Sequence, residues 1–235
     1  MKVLKNKGFR THVYSTRYKR ESFKHNKLVK EISQILYKHI QINAKDYLIL
    51  SIILIIGVMI GVFIINNLDE NSRSEINGYI NGFINIIKNE NFEVDKMKLT
   101  QNIMVNNIKI IAIIWISGTT IIGIPLIYII TIYKGISIGY TVSAIMLTMG
   151  NVKGLLFSIS ALLLQNIIII PVILMLNVSS LRLYRNLIKR SKTVNIKAEL
   201  IKHTIICFSM IIPIIIASFI SSFFSSNLIC YILKG

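Results

Sequence analysis

The residues that could do chemistry in this chain of 235 residues are few and widely spaced. Its four histidines, His12, His25, His39 and His203, match no metal-binding spacing, and no acidic residue accompanies them in a recognisable pattern. The spacing therefore predicts no metal centre and no bound cofactor. We expect a protein that is not an enzyme.

A short glycine motif, "YKGISIGY" at Tyr133–Tyr140, is the next candidate for a binding site. It lacks the third glycine, the following Lys-Ser/Thr pair and the preceding strand of a nucleotide-binding loop. In a membrane protein, small residues at every fourth position instead favour close helix packing, with self-association into a homo-oligomer as the alternative. Residues with this spacing are Gly57 and Gly61, Gly135, Gly139 and Ser143, and the two rows Ala217, Ser221, Ser225 and Ser218, Ser222, Ser226.

Polar amides and helix-breaking residues interrupt the apolar parts of the chain. Gln165 and Asn166 need hydrogen-bond partners in an apolar setting, which predicts either contacts between helices or a polar site facing a cavity. Gly123 and Pro125 are predicted to interrupt the second apolar segment and Pro171 the fourth, because proline removes a backbone hydrogen bond.

The composition is that of a membrane protein, with 53% hydrophobic residues and a mean hydropathy of +0.63. About 20 apolar residues are needed to cross the hydrocarbon layer as a helix. Five uncharged blocks approach or exceed that length, so we predict an all-α membrane protein with five transmembrane helices. The predicted spans are residues 47–68, 110–133, 135–152, 155–178 and 204–232.

The formal net charge of +17 would suggest nucleic acid as a partner if the chain were soluble. The basic residues, however, concentrate in segments 1–46 and 179–203, whereas the 69–109 loop is nearly neutral. The positive-inside rule then places the N-terminus inside and the 233–235 tail outside. In this topology Lys134 marks a cytoplasmic turn between the second and third spans. The lipid bilayer is the predicted partner, and nucleic acid is not.

Two connecting segments carry an amphipathic pattern. A basic helix over 27–45 is predicted either to lie on the inner leaflet or to pack on the protein's own helix ends. A shorter helix over about 75–88, in the outer loop, has an apolar face that includes Tyr79, Phe83 and Ile87. That face needs the headgroup layer, the rest of the chain or another protein as a partner.

Three stretches resemble the stage II sporulation protein M family. They are "GIPLIYIITIYKGISIGYTVS", "KGLLFSISALLLQNIIIIPV" and the short "SSL" at 179–181. One departure is Leu164, where the family often has proline before its Gln-Asn pair. The family motif falls on Lys134, Gly135, Ser137, Gly139, Tyr140, Lys153 and Gly154.

The resemblance implies a multi-pass membrane protein of endospore formers that acts in engulfment of the forespore, at the septal membrane of the mother cell. It further implies a non-enzymatic scaffold that anchors or recruits two peptidoglycan-degrading partners, stage II sporulation proteins D and P. The alternative is a transporter or permease-like subunit that works with a cytoplasmic partner, suggested by the interrupted second and fourth spans. An intramembrane hydrolase is the third reading, and no Ser-His, Asp-Asp or zinc pattern within the spans supports it.

Overall fold

The computed structural model describes residues 30, 34, 37–88, 95–120, 123–188 and 196–225. This part of the chain is almost entirely helical and has no strand. Five of its helical segments are long and apolar enough to cross a membrane, so the prediction of an all-helical chain with five such segments is confirmed. They are Ala44–Asn66, Lys96–Thr119, Gly123–Met149, Gln165–Ile188 and Ile196–Phe223.

The helices follow one another with short connections. Of the predicted amphipathic helix over 27–45, residues 30, 34 and 37–42 are helical, and the rest up to residue 36 lies outside the described residues. In order, the remaining helices are α1 Ala44–Asn66, α2 Glu70–Lys88, α3 Lys96–Thr119, α4 Gly123–Met149, α5 Asn151–Ser158, α6 Leu164–Ile188, α7 Ile196–Ser209 and α8 Ile211–Ile220. Two π-helical segments, Ile159–Leu163 between α5 and α6 and Ser221–Ser225 after α8, complete the list.

The predicted turn at Lys134 is wrong. Helix α4 runs without a break from Gly123 to Met149, so Lys134 lies in the middle of a helix and the second and third spans meet elsewhere. The break falls just before Gly123, where α3 has ended at Thr119. A lone lysine between apolar blocks indicated a boundary, but the helical hydrogen bonding continues through it.

The physical reason lies in the Gly-x-Pro sequence, which starts a helix here instead of interrupting one. Pro125 occupies the first turn of α4, where its missing N–H would have had no intrahelical acceptor. A Cβ atom on Gly123 would stand 1.9 Å from the carbonyl oxygen of Ser117, so the tight return from α3 to α4 requires glycine. The prediction that Gly123 and Pro125 interrupt a span is therefore also wrong.

At the opposite end of α4 a second tight return leads into α5. Gly150 adopts a φ of +82°, a conformation that glycine reaches without steric cost. A Cβ atom on Gly154 would lie 2.6 Å from the Cα atom of Met146, so α5 packs directly on the last turn of α4. Pro171 lies inside α6 and does not end it, because α6 continues to Ile188.

Helix α6 is the centre of the bundle. More than half of its span is buried inside the protein, against a third or less for each of the other four. One apolar core lies between α6 and its neighbours α3, α7 and α8. Its buried members are Ile111, Ile114, Ile169, Val172, Ile173, Leu176, Cys207, Ile214 and Ala217. A second, smaller core joins α1, α4 and α6 through Leu50, Ile127, Val178 and Leu181.

Helices α1 and α4 meet through their glycines. A Cβ atom on Gly57 would stand 2.5 Å from the carbonyl oxygen of Ile132 and 3.1 Å from the Cα atom of Gly135. A Cβ atom on Gly61 would stand 2.4 Å from the carbonyl oxygen of Ile136. The backbones therefore touch, which small residues permit and which favours helix association in lipid.

Candidate functional site

Helix α2 packs against α4 along one edge. Its first turn is capped by Asp69, whose carboxylate accepts a hydrogen bond from the Ser72 backbone N–H at 3.3 Å. Hydrogen bonding from Ser72 holds the pKa of this exposed carboxyl below its usual value. Further along, Thr148 of α4 donates a hydrogen bond of 2.7 Å to the Oδ1 atom of Asn77, and Ile84 is buried. These contacts fix the rotation of α2 about its axis.

This rotation leaves an apolar edge of α2 uncovered. Tyr79 is 81% exposed and Phe83 is 47% exposed. Both line a groove of about 780 Å³ between α2 and the neighbouring faces of α4 and α5. Of the described residues that line the groove, Glu75 alone is charged. The remaining walls include Ile76 and Ile80 of α2, Tyr140 and Ala144 of α4, and Phe157 of α5.

A groove of this volume and lining is suited to apolar or aromatic groups of another molecule. Two of the three predicted docking residues, Tyr79 and Phe83, line it, whereas the side chain of Ile87 lies outside the described part of the structure. We call the exposed edge of α2 together with this groove the α2 surface.

A polar layer lies near the same end of the bundle, where the two π-helical segments meet α3 and α6. The hydroxyls of Thr100 and Ser222 are 2.5 Å apart, and Ser221 donates a hydrogen bond of 3.3 Å to the Oε1 atom of Gln165. Asn166 is 5% exposed and donates to the carbonyl oxygen of Leu162, while its own Oδ1 atom has no partner among the described residues. Gln165 thus bonds a neighbouring helix, as a buried amide must in an apolar setting.

A second polar pair lies deeper, between α4 and α6. Asn177, with no exposed surface, donates a hydrogen bond of 2.9 Å to the Thr131 hydroxyl, which donates in turn to the carbonyl oxygen of Ile127. The Oδ1 atom of Asn177 has no partner within the described residues. Such an atom is a natural site for a buried water molecule.

A third polar cluster, centred on His203, lies where α3, α6 and α7 meet. The imidazole is 2% exposed, with Nδ1 at 3.0 Å from the Ser179 hydroxyl and Nε2 at 3.4 Å from the Ser180 hydroxyl. Ser180 also donates a hydrogen bond of 3.2 Å to the carbonyl oxygen of Ile114, and the Cys207 sulfur lies 3.6 Å from Nε2. A histidine beside a hydroxyl is the pairing used in nucleophilic catalysis. Here the imidazole and the two serine hydroxyls are buried. Their hydrogen bonds link α3, α6 and α7.

The sequence interpretation missed this cluster. It assigned His203 to the basic connecting segment, and it noted Ser179 and Ser180 only as part of the family resemblance. The two serines precede His203 by 24 and 23 positions along the chain, and they meet it because α6 and α7 pack side by side. One signal was present in the sequence: a histidine next to an apolar block must find polar partners when that block is buried.

Two ion pairs lie at the helix ends that carry the basic residues. Arg185 of α6 pairs with Asp46 at the start of α1. Lys202 of α7 pairs with Glu199 at 2.9 Å, and Glu199 also accepts a hydrogen bond from Asn186. We call this side of the bundle the basic end; the other side, where α4 turns into α5, is the α2 end.

The other predicted site residues are distributed over several helices. Ala217, Ser218, Ser221 and Ser222 are buried, whereas the side chain of Ser225 lies outside the described residues. Ser143 is half-buried on α4; Ser137 and Tyr140 are exposed on the same helix, and Lys153 is exposed at the start of α5. Within the described residues no group of three His, Cys, Asp or Glu side chains could hold a metal ion.

Together these features define an all-helical membrane protein, with five segments able to span the bilayer and with polar residues bonded between helices. Residues 50–226, most of the chain, match the family described as Stage II sporulation protein M. The chain therefore belongs to the stage II sporulation protein M family and is a multi-pass sporulation membrane protein. No curated protein and no solved structure matches it.

Proposed function

We propose that this protein is a non-enzymatic scaffold of the sporulating cell's membrane, which holds peptidoglycan-degrading partners through the α2 surface. The observation that carries this proposal is the exposed edge of α2. Tyr79 and Phe83 remain uncovered beside an apolar groove, although the same helix is anchored by Asn77 and Ile84. Exposed aromatic residues at the rim of a pocket are the usual anchors of a protein interface.

The proposed orientation places the α2 end outside the cell membrane. Arg182, Arg185, Lys197 and Lys202 lie at the other end, and the positive-inside rule favours the cytoplasm for them. The α2 surface then faces the compartment that contains the cell wall, where peptidoglycan-degrading partners act. A reporter that is active only in the cytoplasm should be active when it is fused after Arg190, and one that is active only outside should be inactive there. The reverse result would reject this topology.

The proposed partners, from the family resemblance, are stage II sporulation proteins D and P, at the septal membrane during engulfment. The test is affinity capture from sporulating cells with a Tyr79→Asn/Phe83→Asn double variant. We expect membrane insertion at the normal level and strongly reduced recovery of both partners. Asn81→Ser/Asn85→Ser is the matched control, because these exposed residues lie on the same helix and do not line the groove. Equal capture by both variants would reject the α2 surface as the docking site.

A permease-like subunit is the second candidate. It is favoured by the amide oxygens of Asn166 and Asn177 on the central helix α6, which have no partner in the described part of the chain. Polar groups of this kind line solute pathways in some membrane proteins. Purified protein in liposomes should then move a solute, and Asn166→Leu and Asn177→Leu should stop it. Normal partner capture without flux would favour the scaffold.

The predicted alternative use of the small residues, self-association, has a specific physical obstacle. Gly57, Gly61, Gly135 and Gly139 face one another within a single chain. A second copy could use these positions only after α1 and α4 separate. We therefore propose that these glycines serve packing inside the protein.

A further inference from the structure

From the position of Lys134 we infer a second interaction surface on this protein, for a transmembrane helix that carries a carboxylate near the middle of the bilayer. This surface is separate from the α2 surface, and the inference does not depend on the proposed docking of wall-degrading partners. The argument uses the depth of Lys134, its surroundings and the distribution of acidic residues along the chain.

The depth follows from the length of α4. Lys134 lies eleven residues after Gly123 and fifteen before Met149 in this helix of 27 residues. At 1.5 Å per residue it is about 16 Å from one end of α4 and about 22 Å from the other. The hydrocarbon layer is about 30 Å thick, so the lysine is near its middle. The contact of the next residue, Gly135, with Gly57 near the middle of α1 agrees with this depth.

A lysine near a helix end can extend its amine to the headgroups, but one at mid-depth is too far from either surface to do so without local thinning of the bilayer. Lys134 is half-buried, and it makes no hydrogen bond and no ion pair with the described residues. Its near neighbours on the helix are chiefly apolar, with Ile130 and Ile138 one turn away on either side. A charged amine in this setting requires an anion from elsewhere.

The chain itself has no acidic side chain at the depth of Lys134. All ten of its acidic residues lie outside residues 47–68 and 96–198, and the sequence between Asp95 and Glu199 contains none. Asp46 and Glu199 are at the basic end and already paired. A second copy of this chain would bring its acids to the same levels, so a homo-oligomer cannot supply the missing charge.

A helix from another protein can supply it. Lys134 is flanked by Tyr133 and Ser137, which are both exposed, whereas Gly135 on the other side is covered by α1. A partner helix therefore has access along the side of α4 that carries these exposed residues. Lys109, ten residues before the end of α3, differs from Lys134 in its surroundings. It is exposed and follows the polar pair Asn106 and Asn107, whereas Lys134 is half-buried between apolar neighbours.

The test uses the full chain in vesicles of zwitterionic lipid and a synthetic leucine-alanine transmembrane peptide with one aspartate at its centre. Binding is followed by energy transfer between a label on the peptide and a label on the protein. We expect Lys134→Gln to weaken binding by at least about tenfold, which corresponds to 1.4 kcal/mol. Lys98→Gln, which removes an exposed lysine at the first turn of α3, should leave binding unchanged.

Two further peptides make the result specific. A peptide with asparagine in place of the aspartate should bind the wild-type protein weakly, and one with a central lysine should bind the Lys134→Asp variant instead. Equal binding of the aspartate and asparagine peptides, or an unchanged affinity of Lys134→Gln, would overturn the inference. Binding that requires anionic lipid and ignores the peptide's charge would also overturn it, because the lysine would then be paired with lipid phosphate.

Discussion

Gly139 of α4 lies so close to Val58 of α1 that a Cβ atom on the glycine would stand 2.1 Å from the Val58 carbonyl oxygen. The same closeness recurs one turn earlier, where a Cβ atom on Gly135 would stand 2.3 Å from the carbonyl oxygen of Leu54. The atoms that an added methyl group would meet are backbone oxygens, which cannot move away as the end of a flexible side chain can. The contact between α1 and α4 therefore excludes even one methyl group.

Gly139→Ala should consequently lower the free energy of unfolding by about 1–3 kcal/mol, the usual cost of overpacking. The matched control is Gly82→Ala in α2, where nothing lies within 4 Å of the added methyl group. Since alanine favours a helix over glycine by about 1 kcal/mol, the control should be neutral or stabilising. Unfolding in mixed micelles of increasing SDS content would measure both changes. Equal stability of the two variants would show that α1 and α4 separate in the bilayer.

The hydroxyl pair of Thr100 and Ser222 joins α3 to the segment after α8, positions 122 residues apart in the chain. We expect Thr100→Val and Ser222→Ala to be coupled by about 1 kcal/mol in a double-mutant cycle, the typical value for such bonds in membranes. The same unfolding assay gives the three differences required. Strict additivity of the two single changes would mean that the bond contributes nothing to stability.

His203 holds α6 and α7 together through Ser179 and Ser180, so we predict that its role is structural. His203→Ala should cost about 3 kcal/mol, because it leaves a cavity and removes the imidazole partner of the Ser179 hydroxyl. Ser179→Ala should cost only about 1 kcal/mol. Ser209→Ala, at an exposed position of the same helix α7, is the neutral control.

The structural role also predicts the phenotype of the serine variant. At equal amounts of protein in the membrane, Ser179→Ala should support sporulation normally, scored as heat-resistant spores. Complete loss of sporulation by a stable Ser179→Ala variant would contradict a structural role and would favour a chemical one.

The cap of α2 gives a pH prediction. Hydrogen bonds from Ser72 lower the pKa of the Asp69 carboxyl below its ordinary value near 3.8. A lowered folded-state pKa means that the deprotonated cap stabilises α2 above that ordinary value, and the stabilisation is lost as pH falls through the lower one. Ser72→Ala should raise the Asp69 pKa, measured from the carboxyl ¹³C shift during acid titration. An identical titration curve for wild type and variant would refute the contribution of the Ser72 side chain, because the variant retains the backbone N–H that caps the helix.

The number of spanning helices could be predicted from the sequence because length and apolarity alone decide it. The position of the break between the second and third spans could not be predicted from the sequence. Lys134 looked like a boundary, since a charge is rare within a span, and Pro125 looked like an interruption, since proline is rare within a helix. The hydrogen bonding decides otherwise: Pro125 needs no acceptor in the first turn of α4, and the helix continues past the lysine.

For the glycines and the polar residues, the candidates could be predicted from the sequence but their partners could not. The four-residue spacing of Gly57 and Gly61 marks a packing edge in any membrane helix, so the candidates could be listed without knowing their partners. The arrangement of whole helices decides which helix each packing edge meets. It also brings His203 to Ser179. The π-helical segments gave no sequence signal at all.

The π-helical segment Ile159–Leu163 has a consequence for the phase of the helix that contains it. An α-helix turns by about 100° per residue, so one residue added in a wider turn rotates everything before it relative to everything after it. This offset lets Gly154 face α4 while Ile169 and Ile173 face the central core. Deleting one residue here would restore a regular helix and point Gly154 away from α4. Reading-frame-preserving deletions of a single codon in this segment should thus be less tolerated than any conservative replacement within it.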